Sequence, residues 1–341
     1  LDRVNVYVNG VPVFGLKGIE VKSLNQNSVT DEVKIPLLEG TNDIQISCMN
    51  ASGSESLSDR IKVIRENVKT KGDLYLVTIG VSNYKDERFN LKYPTKDAQD
   101  ILNKFEESKN RYKNVHSKLL VNEAVTKEGV QGLAQFFSSC THEDFAIIFI
   151  AGHGVLNVDY DYFYGSYDMD FDDPDERGIP YTLISGLLDK VKAYQKLLIM
   201  DTCHSGELDE DDIEEGQDPE IEEGDVQFRG VATNIRKKKG VGLDNSRKYT
   251  ESLFSDMSKG TGATVISSAG GAEYAMESDQ WHNGLFTHAF IQGLNEKAGR
   301  DVYLSEIRTY VNEQVIELSN KKQTPTAREE NINMDYIIFG K

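Results

Sequence analysis

Two apolar runs that each end in a polar, glycine-containing turn decide the fold: FAIIFIAGHG at residues 145–154 and KLLIMDTCHSGE at residues 196–207. Continuous apolar runs of this length are typical of strands in a parallel sheet that is covered on both faces. Ligands bind beyond the carboxyl ends of such strands. We therefore expect His153 and Cys203 to emerge at the same edge of the sheet.

Three further runs share this apolar character, and segments with helical periodicity separate them. The runs are LYLVTIGVS from Leu74, ATVISS from Ala263 and DYIIF from Asp335. The helical faces are Ala98, Ile101, Leu102 and Phe105; Val130, Leu133, Ala134 and Phe137; Ile184, Leu187, Leu188 and Val191; and Phe286, Ala289, Phe290 and Leu294. This alternation predicts an α/β domain at residues 73–341, with a mostly parallel sheet and helices on both faces.

Residues 1–66 have a different pattern, with short alternating runs between turn signals. The runs are VNVYVNG, VKIPLLEGTN and DIQISCMNASG, and Asn9-Gly10 is a strong hairpin signal. They predict a small all-β sandwich, followed by a linker at residues 67–72. Because this region contains no histidine, we expect it to bind another domain or a partner rather than to carry chemistry.

Composition excludes several classes of protein. The net charge of −18 disfavours nucleic-acid binding, although twelve acidic residues are concentrated at residues 207–225. No apolar run approaches the ~20 residues that cross a membrane. The three cysteines lack the spacing of a zinc site or a disulfide framework, so we expect a cytoplasmic protein without a structural metal. Since the chain starts at Leu1 without methionine, we expect it to be a piece of a longer polypeptide.

A cysteine and a histidine at two strand ends on the same edge of a sheet suit nucleophilic catalysis. A thiol attacks an amide as the thiolate, and an imidazole that takes its proton can later protonate the leaving amine. Glycines beside them allow close backbone approach and leave N–H groups for an oxyanion. The alternatives are that both residues are ordinary loop residues, or that His204 rather than His153 is the base.

The strings IAGHG and DTCHSGE resemble the histidine and cysteine motifs of caspase-like peptidases, especially metacaspases and their prokaryotic relatives. His153 and Cys203 are 50 residues apart, as in caspases, although the caspase pentapeptide is absent. The segments YFYGSYDMDFDDPDERGIP, WHNGLFTHAFIQGL and QTP extend the resemblance over residues 73–339. In residues 1–66, VNG, LLEGTN and N-x-S-G resemble immunoglobulin-like modules that precede caspase-like domains in bacterial multidomain proteins, often after sensor domains.

The resemblance implies a cysteine endopeptidase without a required cofactor, which cleaves proteins or peptides after Arg or Lys. Cys203 would be the nucleophile and His153 the base, with the N–H groups of Gly154 and Cys203 as the oxyanion hole. Asp201 and Asp97 would line a pocket for the basic side chain. Alternatively, Asp97 is a first-turn helix acid and Asp201 a turn former.

The sequence departs from the metacaspase pattern at the pocket. Ala151 replaces a serine before Gly-His-Gly, and the segment SSAGGAEYAMES lacks the family's cysteine and paired aspartates. We expect Glu273 in that segment to take their place. No basic residue flanks either motif, which disfavours specificity for Asp.

Residues 207–259 form a long segment that turns from acidic to basic. Because loops longer than about 15 residues are usually functional or disordered, we predict self-processing here. The favoured bonds follow Arg236, Lys237, Lys238 or Lys239, and the next candidates follow Arg229, Arg247 or Lys248. Alternatively, the basic half only neutralises the acidic half as an uncut plug. The acidic half is also a candidate Ca²⁺ ligand, although it lacks a spaced D-x-D-x-D-G loop.

Two other functions are compatible with the same sequence motifs. One is a catalytically silent caspase-like interaction module, and the other is a clostripain-like or separase-like thiol hydrolase. As partners we expect substrates with basic residues and an upstream sensor domain or partner protein, but no nucleic acid and no membrane.

Overall fold

The computed structural model describes residues 1–15, 17–21, 28, 30–66, 71–159, 161–202, 226–229, 261–269, 275–327 and 335–340. Its first part is an antiparallel sheet of β1 (Arg3–Val8), β2 (Val11–Pro12), β3 (Ile19–Glu20), β4 (Gly40–Met49) and β5 (Asp59–Arg65). The Asn9-Gly10 turn has positive φ at both residues, as a tight hairpin requires. The all-β N-terminal region is confirmed, whereas its immunoglobulin-like character stays a prediction.

Strands and helices alternate from Leu74 onward. The strands are β6 (Leu74–Gly80), β7 (Val115–Val121), β8 (Phe145–Gly152), β9 (Gly154–Leu156), β10 (Tyr162–Tyr164), β11 (Ile179–Pro180), β12 (Gln195–Thr202), β13 (Val226–Phe228), β14 (Thr264–Ser267), β15 (Met276–Ser278), β16 (Asn283–Gly284), β17 (Val302–Tyr303), β18 (Thr326–Ala327) and β19 (Ile337–Phe339). The α-helices are α1 (Pro94–Glu106), α2 (Lys127–Gln131), α3 (Leu133–Phe136), α4 (Pro174–Arg177), α5 (Tyr181–Asp189), α6 (Leu285–Glu296) and α7 (Leu304–Leu318). Single 3₁₀ turns lie at Glu87–Phe89, Asn122–Ala124 and Phe137–Ser139. Within the described ranges, no helix has the length and apolar character needed to span a membrane.

The central sheet has the order β18-β14-β12-β8-β6-β7. Its five strands from β14 to β7 are parallel, and only β18 runs antiparallel to its neighbour. Strands β6 and β8 are buried along their whole length, and one large apolar cluster covers each face of the sheet. The predicted parallel α/β architecture is confirmed.

Two elements differ from the sequence expectation. The run DYIIF gives β19, which pairs with β17 outside the central sheet, because its buried residues pack into the helical layer beside that sheet. The helical face from Val130 to Phe137 is divided into α2, α3 and a 3₁₀ turn, with the break at Gly132. Glycine weakens a helix interior, which accounts for the interruption.

The N-terminal sheet packs against the α/β domain. Val8 and Val11 form an apolar cluster with Tyr194, whose hydroxyl donates to the carbonyl oxygen of Pro36 at 3.0 Å. Gly262, at a positive φ of 71°, lies so close to Val11 that a Cβ would collide with it. The chain therefore enters β14 beneath the N-terminal sheet.

Candidate active site

The two motif-bearing strands end side by side. Strands β8 and β12 are parallel neighbours, and the last pair in their ladder is Gly152 with Thr202. His153 follows the first of these residues in the sequence and Cys203 follows the second. The two runs thus end at one edge of the sheet, as the sequence predicts, although Cys203 lies outside the described residues.

Backbone and side-chain contacts hold His153 in a buried position. Its backbone N–H donates to the Tyr84 hydroxyl at 3.0 Å. Its ring atom Nε2 lies 2.9 Å from the carbonyl oxygen of Phe89, and Nδ1 lies 2.7 Å from the carbonyl oxygen of Arg229. The preceding residue Gly152 has a φ of 144°, and a Cβ there would lie 2.9 Å from the Tyr84 oxygen. Glycine is therefore required at this turn.

The environment of His153 favours the neutral ring. Burial lowers its pKa, while the hydrogen bonds to the carbonyl groups of Arg229 and Phe89 oppose this shift. Each ring nitrogen lies at hydrogen-bond distance from a carbonyl oxygen, which only accepts, so the neutral ring donates to one of the two carbonyl groups and the protonated ring to both. In the tautomer that donates from Nε2 to Phe89, Nδ1 is the basic nitrogen and faces Arg229.

The guanidinium of Arg229 is fully buried among three carboxylates. Its Nη2 donates to Asp97. Its Nη1 lies 3.1 Å from both the carbonyl oxygen and Oδ2 of Asp201. Its Nε donates to Oε2 of Glu277 at 2.9 Å. Each acid therefore binds a different nitrogen of the same side chain.

Other groups fix the three carboxylates in place. Asp97 accepts hydrogen bonds from the Asn283 side chain at 2.9 Å and from the backbone N–H of Gly284. Asp201 accepts from the hydroxyl and the backbone N–H of Thr287, in the first turn of α6. Oε1 of Glu277 accepts from the backbone N–H of Lys92 at 2.7 Å. The pocket is thus organised independently of the cation that it holds.

The electrostatics of this pocket favour a bound cation. Burial raises the pKa of Asp97 to about 6; the nearby Arg229 guanidinium opposes that shift, and the Asp201 carboxylate adds to it. Conversely, Asp201, Asp97 and Glu277 raise the pKa of Arg229 well above its usual value, against the cost of burial. Buried charges are stable only when they are paired, and here three acids share one base.

The residues before Arg229 add a strand to the sheet that carries Glu277. Strand β13 pairs antiparallel with β15, in the register Val226 with Ser278 and Phe228 with Met276. The backbone N–H of Arg229 continues the ladder by donating to the carbonyl oxygen of Ala275 at 2.9 Å. Extended peptides bind many proteins by this kind of strand addition.

Comparison with known proteins identifies the family. The family model described as Caspase domain matches residues 75–336, which is more than half of the chain. The chain belongs to the caspase family. Among solved structures, the caspase domain resembles protein GSU0716 from Geobacter sulfurreducens, with a TM-score of 0.52 and 15% identity over 75% of this chain and 92% of the other. At that identity the likeness concerns the fold. No curated protein matches the chain.

Several predicted site residues of the caspase domain come together. Asp97 and Asp201 lie in one pocket, and His153 lies beside Arg229, which is one of the predicted processing positions. Gly154 begins β9 and is buried next to His153. Cys203, Glu273 and the other basic candidates lie outside the described residues; these candidates are Arg236, Lys237, Lys238, Lys239, Arg247 and Lys248.

The sequence pattern did not reveal other residues of the site. It selected Glu273 for the far wall of the pocket, whereas Glu277, four positions later in the same segment, contacts the guanidinium. It also gave no role to Gly284 or Thr287, although both lie in the segment WHNGLFTHAFIQGL. The Phe89 contact is made by a backbone carbonyl, which leaves no residue-type signal.

Two further expectations concern cysteines and metals. Cys140 is buried, and burial raises the pKa of its thiol to about 12, which suits a packed residue rather than a nucleophile.

In the part of the chain that the structure describes, no three His, Cys, Asp or Glu side chains form a metal-binding group. The acidic segment 207–225 lies outside that part.

Proposed function

We propose that this caspase domain is a cysteine endopeptidase that cleaves after a basic residue and processes itself after Arg229. One observation carries the proposal: Arg229 places its guanidinium in the acidic pocket while its carbonyl oxygen contacts His153. A substrate residue on the amino side of a scissile bond needs its side chain in the specificity pocket and its carbonyl group beside the catalytic residues at the same time. Substrates would therefore be proteins or peptides with an accessible basic residue.

The proposed chemistry uses Cys203 as nucleophile. His153 takes the thiol proton, and the thiolate attacks the carbonyl carbon of the basic residue, while N–H groups of Gly154 and Cys203 hold the oxyanion. Protonated His153 then donates its proton to the leaving amine as the peptide bond breaks. Water hydrolyses the resulting thioester, with the same imidazole as base, and restores the thiol. No cofactor enters these steps.

The pocket also argues against the specificity of ordinary caspases. An aspartate side chain would meet Asp97, Asp201 and Glu277, and like charges in a buried site repel strongly. A basic pocket preference of this kind supports the metacaspase-like type that the sequence motifs suggest.

Arg229 is a better candidate for self-processing than the run Arg236–Lys239. Local charge density favoured that run, but the pocket holds one cation, and Arg229 fills it with every nitrogen bound to an acid. The carbonyl oxygen of Arg229 also lies beside His153, the proposed general base. The bond between residues 229 and 230 is therefore the first that we expect to break.

Hydrolysis of short fluorogenic peptides tests the proposed activity. We expect the wild type to cleave substrates ending in Arg, with no cleavage after Asp. Cys203→Ala and His153→Ala should abolish cleavage, whereas the matched controls Cys48→Ala and His116→Ala should retain it. Hydrolysis that survives Cys203→Ala in pure protein would exclude this mechanism, whereas a folded wild type that hydrolyses no peptide would favour a silent interaction module.

Intact-mass analysis tests self-processing separately. Wild-type protein should give two fragments that meet after Arg229, and Cys203→Ala should stay whole. Arg229→Ala should lose this cut, whereas Arg236→Ala should keep it. A first cut after residues 236–239 in the wild type would remove Arg229 from the role.

The predicted Ca²⁺ binding is independent of the proposed catalysis, because the candidate ligands in residues 207–225 take no part in the chemistry. Titration of Ca²⁺ against peptide hydrolysis and melting temperature tests that prediction. A lack of response in both would leave the acidic segment as a solvated linker.

A further inference from the structure

The pocket treats the three kinds of nitrogen in a guanidinium differently. Nη2 and Nη1 contact Asp97 and Asp201 at the end of the pocket, whereas Nε contacts Glu277 on its side wall. Glu277 cannot turn away easily, because Oε1 is held by the backbone N–H of Lys92. The side wall therefore presents a fixed acceptor one atom before the end of the arginine side chain.

A lysine side chain would fit this arrangement poorly. Its Cε would occupy the position of Nε, so a methylene group would face the Glu277 carboxylate. Its single nitrogen would stop at the position of Cζ, one bond short of the atoms that reach Asp97 and Asp201. Glu277 is only 1% exposed, so the lost partner would not be replaced by bulk water.

Gly284 pairs with Glu277 in the ladder of β15 and β16 and borders the pocket with its bare backbone. A Cβ at this position would lie 2.7 Å from Nη2 and 2.8 Å from Cζ of Arg229, and 2.5 Å from Oδ2 of Asp201. Its φ of −60° and ψ of 145° are allowed for any residue, so the backbone conformation does not require glycine. The space that the guanidinium and the Asp201 carboxylate occupy is what requires it.

We infer that Glu277 and Gly284 make the pocket a guanidinium slot that selects arginine over lysine. This inference rests on the proposed peptidase function and defines its substrate class. Glu277 accepts a hydrogen bond from Nε, an atom that lysine lacks. Gly284 has no side chain and so leaves space for the two terminal nitrogens of the guanidinium. Both residues contact the bound side chain and determine specificity without taking part in bond cleavage.

Matched peptides test the role of Glu277. In an Arg229→Ala background, whose pocket is free, the fluorogenic peptides Val-Gln-Phe-Arg and Val-Gln-Phe-Lys reproduce residues 226–229 and their lysine analogue. We expect kcat/KM to favour the arginine peptide by about 10- to 100-fold, the cost of an unpaired buried acceptor. In Glu277→Gln, Lys92 orients the amide so that its NH₂ faces Nε, and the preference should fall by at least about tenfold. An equal rate for both peptides in the parent, or an unchanged ratio in Glu277→Gln, would overturn the inference.

Gly284→Ala tests the width of the slot. The added methyl should lower kcat/KM for the arginine peptide by about 100-fold or more, because it would collide with Nη2 and Cζ and with Oδ2 of Asp201. The lysine peptide should lose activity as well, because its nitrogen would lie at the position of Cζ. The matched control is Gly186→Ala in α5, where a Cβ meets no atom within 4 Å. Melting temperatures verify that both variants are folded. Full arginine activity in folded Gly284→Ala would refute the slot.

A binding measurement separates this inference from the peptidase proposal. Calorimetry on Cys203→Ala/Arg229→Ala protein should detect binding of agmatine, which carries a guanidinium. The dissociation constant of 1,5-diaminopentane, which carries only amines, should be at least tenfold higher. Adding Gly284→Ala should abolish agmatine binding. Selective agmatine binding here, together with no peptide hydrolysis by the Arg229→Ala parent that retains Cys203, would support the slot and exclude the peptidase. Equal binding of both amines would exclude the slot even if peptides are cleaved.

Discussion

The carbonyl oxygen of Arg229 lies 2.7 Å from Nδ1 of His153, while the guanidinium of the same residue is enclosed by acids. Arg229 belongs to the same chain as the pocket, and residues 203–225 connect it to the end of β12. Because the connection is covalent, the local concentration of this segment at the pocket exceeds that of a free peptide. The uncut chain therefore competes with any substrate for its own pocket.

This occupancy predicts that cleavage between molecules is slow. Wild-type enzyme should cut added Cys203→Ala protein after Arg229 much more slowly than it cuts a Val-Gln-Phe-Arg peptide, because Arg229 of the inactive protein is fully buried. Adding Asp97→Asn to the inactive protein removes one ion pair and should accelerate the cut. Gel or mass analysis over time measures both rates. Equal rates for Cys203→Ala protein and free peptide would contradict the buried placement of Arg229.

The ionisation of Asp97 predicts a pH dependence of substrate binding. Its pKa is raised to about 6 with Arg229 in the pocket, and that cation opposes the shift, so the empty pocket should titrate at or above this pH. Protonation removes a negative charge that binds the substrate guanidinium. We therefore expect KM for arginine peptides to rise as pH falls through about 6 in the Arg229→Ala enzyme.

Kinetics at several pH values distinguish Asp97 from His153. The pKa of His153 is lowered below its usual 6.5, and protonation of the base should reduce kcat rather than raise KM. Asp97→Asn should have a high KM that no longer changes with pH in this range, with the His153 effect on kcat intact. A KM that stays constant in the parent enzyme across this range would show that Asp97 does not titrate there.

Residue patterns predicted much of the fold and two of the three acids that surround Arg229. Apolar runs with glycine turns predicted that the ends of β8 and β12 share one edge of the sheet, and resemblance to the metacaspase motifs pointed to Asp97 and Asp201. Strand identity depends on burial periodicity, which is local, and so it can be read from the sequence. The short, partly exposed strand β19 could not be assigned to its partner β17 in this way, because pairing is a long-range choice.

The rest of the site depends on contacts that no local pattern encodes. Glu277 reaches Arg229 only through the register of β15 with β13, and a shift of one residue would point it to the other face. Gly284 matters because a guanidinium approaches its backbone, and Phe89 because its carbonyl group accepts a hydrogen bond. The contact of Arg229 with the acidic pocket is likewise long-range, and the density of basic residues along the segment does not encode it.

Thr287 supports the acidic pocket around Arg229 through Asp201. Its hydroxyl and backbone N–H both donate to Oδ2, whereas Oδ1 of the same carboxylate has no hydrogen-bond partner in the described part of the chain. Thr287→Val keeps the shape but removes the hydroxyl, and should weaken arginine binding by about 1–2 kcal/mol, or roughly 5- to 30-fold in KM. Thr287→Ser is the matched control and should bind normally. A change in kcat alone would assign Thr287 a different role.

Tyr84 holds the turn that carries His153. Its hydroxyl accepts the backbone N–H of His153 at 3.0 Å, and it lies so close to Gly152 that the turn packs directly on it. Tyr84→Phe leaves that buried N–H without its acceptor, which should cost about 1–3 kcal/mol of folding stability. Since the imidazole then loses its fixed position, kcat should fall by about tenfold or more, whereas KM for arginine peptides should change little because the pocket acids do not contact Tyr84. Tyr303→Phe changes an exposed tyrosine in the same way and should leave both constants and the melting temperature unchanged. Denaturant unfolding and steady-state kinetics on the two variants provide the comparison; a stable Tyr84→Phe enzyme with normal kcat would show that the hydroxyl does not position His153.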